Sequence, residues 1–385
     1  MTLPARNEYG MNRSSSVKHS SITASPAHSA QLATAGLGAY YPGPRIAALQ
    51  GDQHDAWDKF VIDSNLGTFF HQTGWMRAVR DHYGHRPLPI LAMEDRQVVG
   101  IMPLFLVTGP MTGRALISIP YAVSGGVVAR TQDIAAALLA EARRLADVNH
   151  VRYLEVRQRV EDDGFGIRDH YFGFRTIMPE DPGKVLDHYP RKARAEIRKA
   201  RDQNGLEANF SDNLFDVFYD LYVRSLRRLG SPGHSRQFLR RLLVEFGDQC
   251  LIQVVFQGKQ PVAGVLSFRF RDQILPYFAG IDERYNRLGS SNYLYYSLMQ
   301  HAVGLGLRVF DFGRTRRDNL GGCQFKINQG FRPEPLTYSY YSPRGLEAPD
   351  LRPSNPAFSW SRAAWSRLPL GIAGPMGGLV SRWLP

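Results

Sequence analysis

The chain has 385 residues, with 47 lysines and arginines against 35 aspartates and glutamates, which gives a formal net charge of +12. This length exceeds the roughly 250–300 residues at which a single hydrophobic core stops growing, so two packed lobes are expected. The 43% hydrophobic fraction excludes a wholly disordered chain or a collagen-like fibre. The positive charge favours an anionic partner, whether a phosphorylated ligand, a nucleic acid or a lipid surface.

The beginning of the chain and its cysteines indicate a cytoplasmic protein. Residues 1–45 mix Ser, Ala, His, Gly and Pro without a period and without a continuous apolar run, which predicts a disordered leader and no secretory signal peptide. Cys250 and Cys323 lie far apart and outside any metal-ligand spacing. We therefore expect neither a disulfide framework nor a bound metal.

Two stretches of the chain show the same order of elements. In the first, the patterns predict helices at 57–63 and 74–82, strands at 88–92, 98–107 and 115–119, a helix at 134–146 and a strand at 151–156. In the second, they predict helices at 190–201, 214–229 and 236–246, strands at 251–256, 262–270 and 274–281, a helix at 292–305 and a strand at 307–312. The fold class is therefore predicted as α+β, with lobes at 46–180 and 181–345.

The remaining residues, 346–385, form a tail that is predicted to be irregular. Trp360, Trp365 and Trp383 accompany several arginines there, and aromatic rings beside arginine are typical of a membrane interface. The alternative is that the tryptophans dock the tail onto its own lobes.

A turn just before the helix predicted at 292–305 is the first candidate site. It holds two arginines, a glycine and two serines, where free backbone N–H groups and the positive end of the helix dipole favour an anion. These residues are Arg284, Arg287, Gly289, Ser290, Ser291 and Asn292. The alternative is that the serines or Asn292 only cap the helix. Just upstream, Gly280 indicates a bulge or a place where a ligand approaches the strand.

A basic helix at 190–201 is the second candidate. Arg191, Arg194, Arg198 and Arg201 recur at helical spacing and form a cationic stripe. Ala193, Ile197 and Ala200 form an apolar stripe beside it. A phosphate partner and a merely solvated basic face both account for this pattern.

The order strand, glycine-containing turn, helix, strand resembles the cofactor-binding core of the GNAT N-acetyltransferase superfamily. Two such lobes in tandem resemble the FemAB family over about residues 57–341. Three passages carry the resemblance: the basic helix, residues 309–315 (VFDFGRT) and residues 324–331 (QFKINQGF). The last passage and the tail are most similar to the FemAB-related proteins associated with PEP-CTERM/exosortase and exopolysaccharide loci, which share the BioF2-like acetyltransferase domain.

The resemblance implies roles for particular residues. Lys326 would stabilise the oxyanion formed during acyl transfer, assisted by Arg314, while Tyr277 or Tyr293 would relay protons. The turn at 284–292 would hold a phosphate of acyl-CoA or aminoacyl-tRNA as co-substrate, with no tightly bound cofactor. Further residues expected to touch the substrate are Arg194, Arg198, Tyr293, Asp311 and Phe325. The alternatives are a surface position for Lys326, ring packing for the tyrosines and an Asp311–Arg314 ion pair.

These patterns lead to two hypotheses on function. The first is an acyl- or aminoacyl-transferase that acts on an amine of a cell-envelope or exopolysaccharide-related precursor, which would be phosphorylated or lipid-linked. The second is a non-catalytic module that binds tRNA or an acidic membrane. In both, we expect a cytoplasmic protein with peripheral contact at the inner face of the membrane through the tail, and no DNA partner.

Overall fold

The computed structural model describes residues 43–345, 348–349, 355 and 359–384. The predicted leader therefore lies outside the described residues as far as residue 42. The elements of the first half are β1 (Arg45–Ala48), α1 (His54–Asp63), α2 (Thr73–Tyr83), β2 (Arg86–Pro87), β3 (Ile90–Glu94), β4 (Gln97–Met102), β5 (Phe105–Gly109), β6 (Gly113–Ile117), β7 (Val128–Ala129), α3 (Gln132–Val148), β8 (Tyr153–Val156) and β9 (Gly166–Ile177).

The second half and the tail contain the remaining elements. They are α4 (Val185–His188), α5 (Arg191–Arg198), β10 (Leu206–Phe210), α6 (Phe215–Arg228), α7 (Arg236–Phe246), β11 (Cys250–Gln257), β12 (Gln260–Phe270), β13 (Gln273–Ile281), α8 (Ser290–Gly304), β14 (Val309–Arg316), α9 (Leu320–Asn328), β15 (Arg332–Tyr341), α10 (Ser359–Ser366) and α11 (Leu370–Ser381). Every helix predicted from apolar periodicity is present, and the predicted α+β class is confirmed.

One predicted strand divides in two. The stretch 98–107 forms β4 and β5, and Pro103 lies in the break between them. Proline has no backbone N–H to donate to a neighbouring strand, so it ends the ladder. As a result β4 belongs to a four-stranded sheet with the order β1-β3-β4-β7, while β5 belongs to a separate eleven-stranded sheet.

The eleven-stranded sheet runs through both halves of the chain, in the order β10-β11-β12-β13-β14-β9-β15-β8-β6-β5-β2. Its centre is an exchange of strands. β9 comes from the first half and pairs antiparallel with β14, with Ile177 opposite Val309. β15 comes from the second half and pairs with both β9 and β8, with Ser339 opposite Val156. The first half therefore supplies β9 to the strands of the second half, and the second half supplies β15 to the strands of the first half.

Helices cover both faces of the sheet in the second half. Leu266 and Phe268 of β12 belong to a core with Phe218 of α6 and residues of α2 and α7. Val265, which points to the opposite face, belongs to a second core with Leu294 of α8 and residues of α5. A third core packs α3 against β3, β4 and β8. The alternation along β12 places α6 and α8 on opposite sides of the sheet.

Close packing of α6 on β13 explains Gly280, which the sequence analysis interprets as a bulge or a point of ligand approach. A methyl group built on Gly280 would lie 2.3 Å from the amide nitrogen of Tyr222 in α6. The irregularity in the β12–β13 ladder lies elsewhere, between Leu266 and Ser267. The bulge is therefore wrong, and the close approach of a helix backbone accounts for the glycine. The approach of a ligand to this strand stays a prediction.

The tail is helical, which corrects the prediction of an irregular segment. α11 packs against α6 and α7 through glycines, and a methyl group on Gly377 would lie 2.8 Å from the carbonyl oxygen of Gly233. Ser381 donates a hydrogen bond to the same carbonyl oxygen at 3.0 Å. Trp383 lies against Gly109, whereas Trp360 is 81% exposed. The tail is thus held against the rest of the protein mainly by small residues of α11, and not by all three of its tryptophans.

Replacing Gly280 with alanine tests the packing of α6 on β13. We expect Gly280→Ala to lower the free energy of unfolding by about 2–4 kcal/mol, because the added methyl group meets backbone that cannot rotate away. Gly304→Ala is the matched control, since nothing lies within 4 Å of a methyl group built there. Urea unfolding measures both variants, and equal stability of the two would contradict the packing.

Candidate active site

Two neighbouring parallel strands separate at the centre of the second half. β13 and β14 pair only at Gln273 with Val309 and at Ile274 with Phe310. Along these strands, which are described throughout, the ladder stops after those two pairs. We call the opening toward their carboxyl ends the fork. Ligands commonly bind where adjacent strands of an open sheet diverge.

The far side of the fork is shaped by a bulge in β14. Its register with β9 shifts between Asp311 and Arg314. Gly313 within the bulge has φ +65°, a conformation that favours glycine. The Gly313 amide donates to Asp311 Oδ1 at 2.7 Å, and burial raises the pKa of the Asp311 carboxyl. The bulge turns the strand so that Phe312 and Arg314 line a cavity.

This cavity, here called the Lys326 cavity, has a volume of about 440 Å³. β14 supplies Phe312, Arg314, Thr315 and Arg316, α8 supplies Tyr295, β9 supplies Tyr171, and α9 with its preceding turn supplies Asn319, Gly322, Phe325 and Lys326. Asn319 caps α9 by accepting a hydrogen bond from the Gly322 amide at 3.0 Å. The cavity thus has aromatic walls and three cationic residues, and no carboxylate lines it among the described residues.

Lys326 is held at the base of the cavity. Its ammonium donates to the Phe312 carbonyl oxygen at 3.0 Å and lies 5.1 Å from the ring centre of Phe174. Burial lowers the pKa of Lys326 to about 8. Because an ammonium has three donors and Phe312 uses one, Lys326 keeps capacity to bind an anion in the cavity.

Arg314 lies beside Lys326 in the same cavity. Its Nη1 donates to the Tyr338 hydroxyl at 2.5 Å, and its guanidinium lies 4.7 Å from the ring centre of Tyr171. The sequence analysis gives an ion pair between Arg314 and Asp311 as an alternative. No such ion pair is present in the described part of the chain. Since Asp311 binds the Gly313 amide instead, the charge of Arg314 stays available to the cavity.

Tyr277 lies on the other strand of the fork and is fixed by packing. Its hydroxyl donates to the Tyr121 carbonyl oxygen, and its ring contacts Phe70 at 5.1 Å between centres. Burial raises the pKa of Tyr277 above its usual range. With Asp311 and Arg175 it lines a smaller cavity of about 160 Å³. Its phenol therefore stays protonated at neutral pH.

The turn before α8 has several of its polar groups already engaged. Arg284 pairs with Asp282 at 2.6 Å. Gly289 has φ +76°, and a methyl group built on it would lie 3.2 Å from the Ala200 Cβ. The Ser290 hydroxyl is buried and donates to the Tyr285 carbonyl oxygen at 3.4 Å. The basic helix region thus covers one side of this turn.

Other members of the turn remain available or contact the residue that follows α9, and none of them lines the Lys326 cavity. Arg287 is exposed and Ser291 half-buried, and neither side chain has a hydrogen bond or ion pair within the described ranges. Asn292 accepts a hydrogen bond from Gln329 at 2.9 Å. Because Gln329 directly follows α9, this contact places the start of α8 beside the helix of Lys326. Tyr293, one residue on, is buried near Tyr296.

The basic helix has the predicted two faces. Ala193, Ile197 and Ala200 are buried, which confirms the apolar stripe. Arg194 pairs with Asp187 at 3.3 Å, whereas Arg198 is exposed. After α5 the backbone continues as a π-helical turn, Lys199–Gln203.

Sequence reasoning missed the site residues that come from β9 and from the end of β14. Tyr171 and Arg175 lie on β9, which was not predicted as a strand. Arg316 pairs with Asp318 at 3.1 Å, yet its Nη1 is buried without a hydrogen-bond partner among the described residues. The aromatic residues Tyr171, Phe172 and Phe174 are a signal that would have indicated β9.

The lowered pKa of Lys326 predicts a change of stability with pH. The folded value of about 8 lies below the ordinary value of 10.5, so between these two the unfolded chain binds more protons than the folded chain. The contribution of Lys326 to stability therefore rises as pH increases through this window. We expect the gain between about pH 7.5 and 9.5 to be smaller by about 2 kcal/mol in Lys326→Met. Urea unfolding at both pH values measures it.

Lys259→Met provides the comparison for that experiment, because Lys259 is exposed in the turn between β11 and β12. It should leave the pH dependence of the wild-type protein unchanged. An identical pH dependence in Lys326→Met and Lys259→Met would show that Lys326 is not desolvated.

The part of the chain that holds this arrangement matches a known domain family. Residues 188–326 match the acetyltransferase (GNAT) domain family, and this range includes the fork, the turn and Lys326. No curated protein sequence matches the chain.

Solved structures share the fold at low sequence identity. The crystal structure of FemX superposes with a TM-score of 0.60 at 14% identity, over 77% of this chain and 97% of that chain. A tandem GNAT protein from the clavulanic acid biosynthesis pathway gives 0.50 at 12% identity, over 78% and 98%. L-PGS from Bacillus licheniformis gives 0.50 at 14% identity, over 77% and 93%. Residues 188–326 thus match a GNAT acetyltransferase domain, and the chain shares the fold of FemX and of a tandem GNAT protein.

Proposed function

We propose that the protein transfers an activated acyl or aminoacyl group to an amine of a cell-envelope or exopolysaccharide-related precursor. The observation that carries this proposal is that Lys326 and Arg314 line the same cavity next to the fork. Two cations without a lining carboxylate suit a group that becomes negatively charged during the reaction. The GNAT domain and the acyltransferase-type fold support the same chemistry.

In this reaction the amine nitrogen attacks the carbonyl carbon of the donor, and the carbonyl oxygen acquires negative charge. The free N–H groups of Lys326 and the guanidinium of Arg314 would stabilise that oxyanion, because fixed donors need no reorganisation as charge develops. Collapse of the intermediate breaks the bond to the leaving thiol or hydroxyl group, which takes up the proton lost by the amine. Tyr277 is held by the Tyr121 carbonyl, so a positioning contribution through the strand suits it better than proton relay.

The donor would be acyl-CoA or aminoacyl-tRNA, with its phosphates at the turn before α8. Arg287, Ser291 and the first amides of α8 are the groups that would hold a phosphate there. Arg284 is less suited, since Asp282 already neutralises it. Phe325 and Tyr295, whose ring centres lie 5.8 Å apart, would then bound the acyl group near Lys326.

The names of the neighbours support a class of substrate. One structure that shares the fold at a TM-score of 0.50 is the C-terminal domain of a putative lysylphosphatidylglycerol synthetase from Agrobacterium fabrum. That name combines an amino acid with a lipid. We therefore include aminoacyl donors and lipid-linked acceptors among the substrates proposed for this chain.

Removing the ammonium of Lys326 tests the proposed role. We expect Lys326→Ala to lower kcat at least about tenfold while the folded state persists, because a single oxyanion donor typically contributes more than that factor. Purified protein is assayed with acyl-CoA and with aminoacyl-tRNA, using amine acceptors of each class. Circular dichroism and the thermal midpoint verify folding.

Lys259→Ala is the matched control, because it removes an exposed lysine far along the chain from the cavity. It should retain wild-type turnover. Unchanged kcat in Lys326→Ala would remove this residue from the mechanism, and an absence of transfer from both donors would overturn the proposed function.

A second candidate function is binding of a polyanion such as tRNA by α5 without catalysis. The observation in its favour is the exposed row of Arg191, Lys192, Arg198 and Lys199, none of which forms an ion pair within the described residues. Phosphates would neutralise this row and release bound counterions. The same surface would also suit a tRNA-borne donor.

Salt dependence tests the role of this row. We expect Arg191→Ala with Arg198→Ala to weaken tRNA binding and to lower the slope of log K against log salt by about two, one for each lost phosphate contact. Filter binding over a series of salt concentrations measures the slope. Arg159→Ala is the control, because Arg159 pairs with Glu161 on the first half of the chain. Equal slopes in all three proteins would exclude α5 from tRNA binding.

A further inference from the structure

α11 presents two contrasting faces. Gly374, Gly377, Gly378 and Ser381 are buried against the body of the protein. A methyl group on Gly378 would lie 2.5 Å from the Ser235 Cβ, so the helix backbone itself touches the segment before α7. The glycines therefore fix which side of α11 faces outward.

The outward side is apolar. Ile372, Met376 and Leu379 follow at spacings of four and three and are 46%, 41% and 59% exposed. Leu370 at the start of α11 and Trp360 of α10 are exposed as well. A helix of a water-soluble protein normally places charged or polar residues on its outer side. Here that side is continuous apolar surface.

The charge within the tail itself has one sign. Residues 351–385 contain four arginines and no aspartate or glutamate. Arg362, Arg367 and Arg382 are exposed and lie along α10, before α11 and after it. A cavity of about 420 Å³ between α6 and α11 is lined by Arg224 and by Arg236, and Arg236 pairs with Asp220 of the same lining. An apolar helix surface bordered by arginines is complementary to anionic lipid headgroups.

The composition of α11 also calls for an apolar neighbour. Four of its twelve residues are glycines, and Pro375 lies inside the helix. Both residue types disfavour helix in water, so packing must stabilise α11. The body of the protein packs one side only, and an apolar environment on the other side would complete the stabilisation.

We propose that α10 and α11 lie in the headgroup region of a membrane that contains anionic lipids, with Ile372, Met376 and Leu379 inserted and the arginines at the phosphates. Twelve residues extend about 18 Å, too short to cross the hydrocarbon core. Within the described part of the chain, no helix has the length and apolarity for a membrane span. A second copy of the chain is a poorer occupant, because two arginine-rich surfaces would repel each other.

Flotation with lipid vesicles tests the proposal. Full-length protein is mixed with vesicles of phosphatidylcholine alone or with about 30% phosphatidylglycerol, at low and high salt. We expect the wild-type protein to bind the anionic vesicles. We expect the triple variant Ile372→Ser, Met376→Ser, Leu379→Ser to partition onto them at least about tenfold more weakly. Replacing Arg362, Arg367 and Arg382 with alanine should weaken partition by about fivefold per residue and remove the salt dependence.

The control replaces three exposed apolar residues elsewhere, Ile62, Val148 and Leu305, with serine. These substitutions should leave partition unchanged. Equal partition of the tail variant and this control, or no binding to anionic vesicles, would overturn the proposal. So would a dimer in solution that the tail variant dissociates, since the occupant would then be a second copy. Membrane binding by this surface does not depend on the proposed transfer activity. Transfer to a water-soluble acceptor is therefore measured in parallel, so that a failure of one is distinguished from a failure of the other.

Discussion

The separation of β13 from β14 is the constraint on which the candidate site depends. After two paired positions the strands lose their shared hydrogen bonds, and the bulge at Gly313 directs β14 toward β9 instead. The backbone groups released in this way would be costly if buried without partners, so such an opening persists only where other contacts fix it. Asp311, which accepts from the Gly313 amide, and α9, which brings Lys326 to the Phe312 carbonyl, provide those contacts.

Polar contacts across the two halves hold the fork in place. The hydroxyl groups of Tyr277 and Tyr338, both from the second half, donate to the carbonyl oxygens of Tyr121 and Val123 in the first half. Tyr338 also accepts from Arg314. The first half thus contributes the backbone that positions cavity residues, whether or not it has a site of its own. This explains why Arg314 stays fixed without a carboxylate partner.

Regular periodicity made much of this fold predictable. α7 was predicted with its observed ends, and α2, α3, α6 and α8 differ by one or two residues at each end, because each has an apolar stripe facing a core. β9 and β15 were not predicted, since charges interrupt β9 and Pro333 and Pro335 interrupt β15 in a way typical of edge strands. α9 was missed because its first turn contains Gly321 and Gly322. The candidate role of Lys326 came from family resemblance, since no local pattern shows that a lysine is desolvated by strands distant in sequence.

The exchange of β9 and β15 has a consequence for the history of such a chain. β9 and β15 each pair with strands of the other unit, so neither unit completes its share of the sheet by itself. A split gene would yield two products that each expose unpaired strand edges, which are prone to aggregate. The exchange therefore favours keeping both units in one polypeptide.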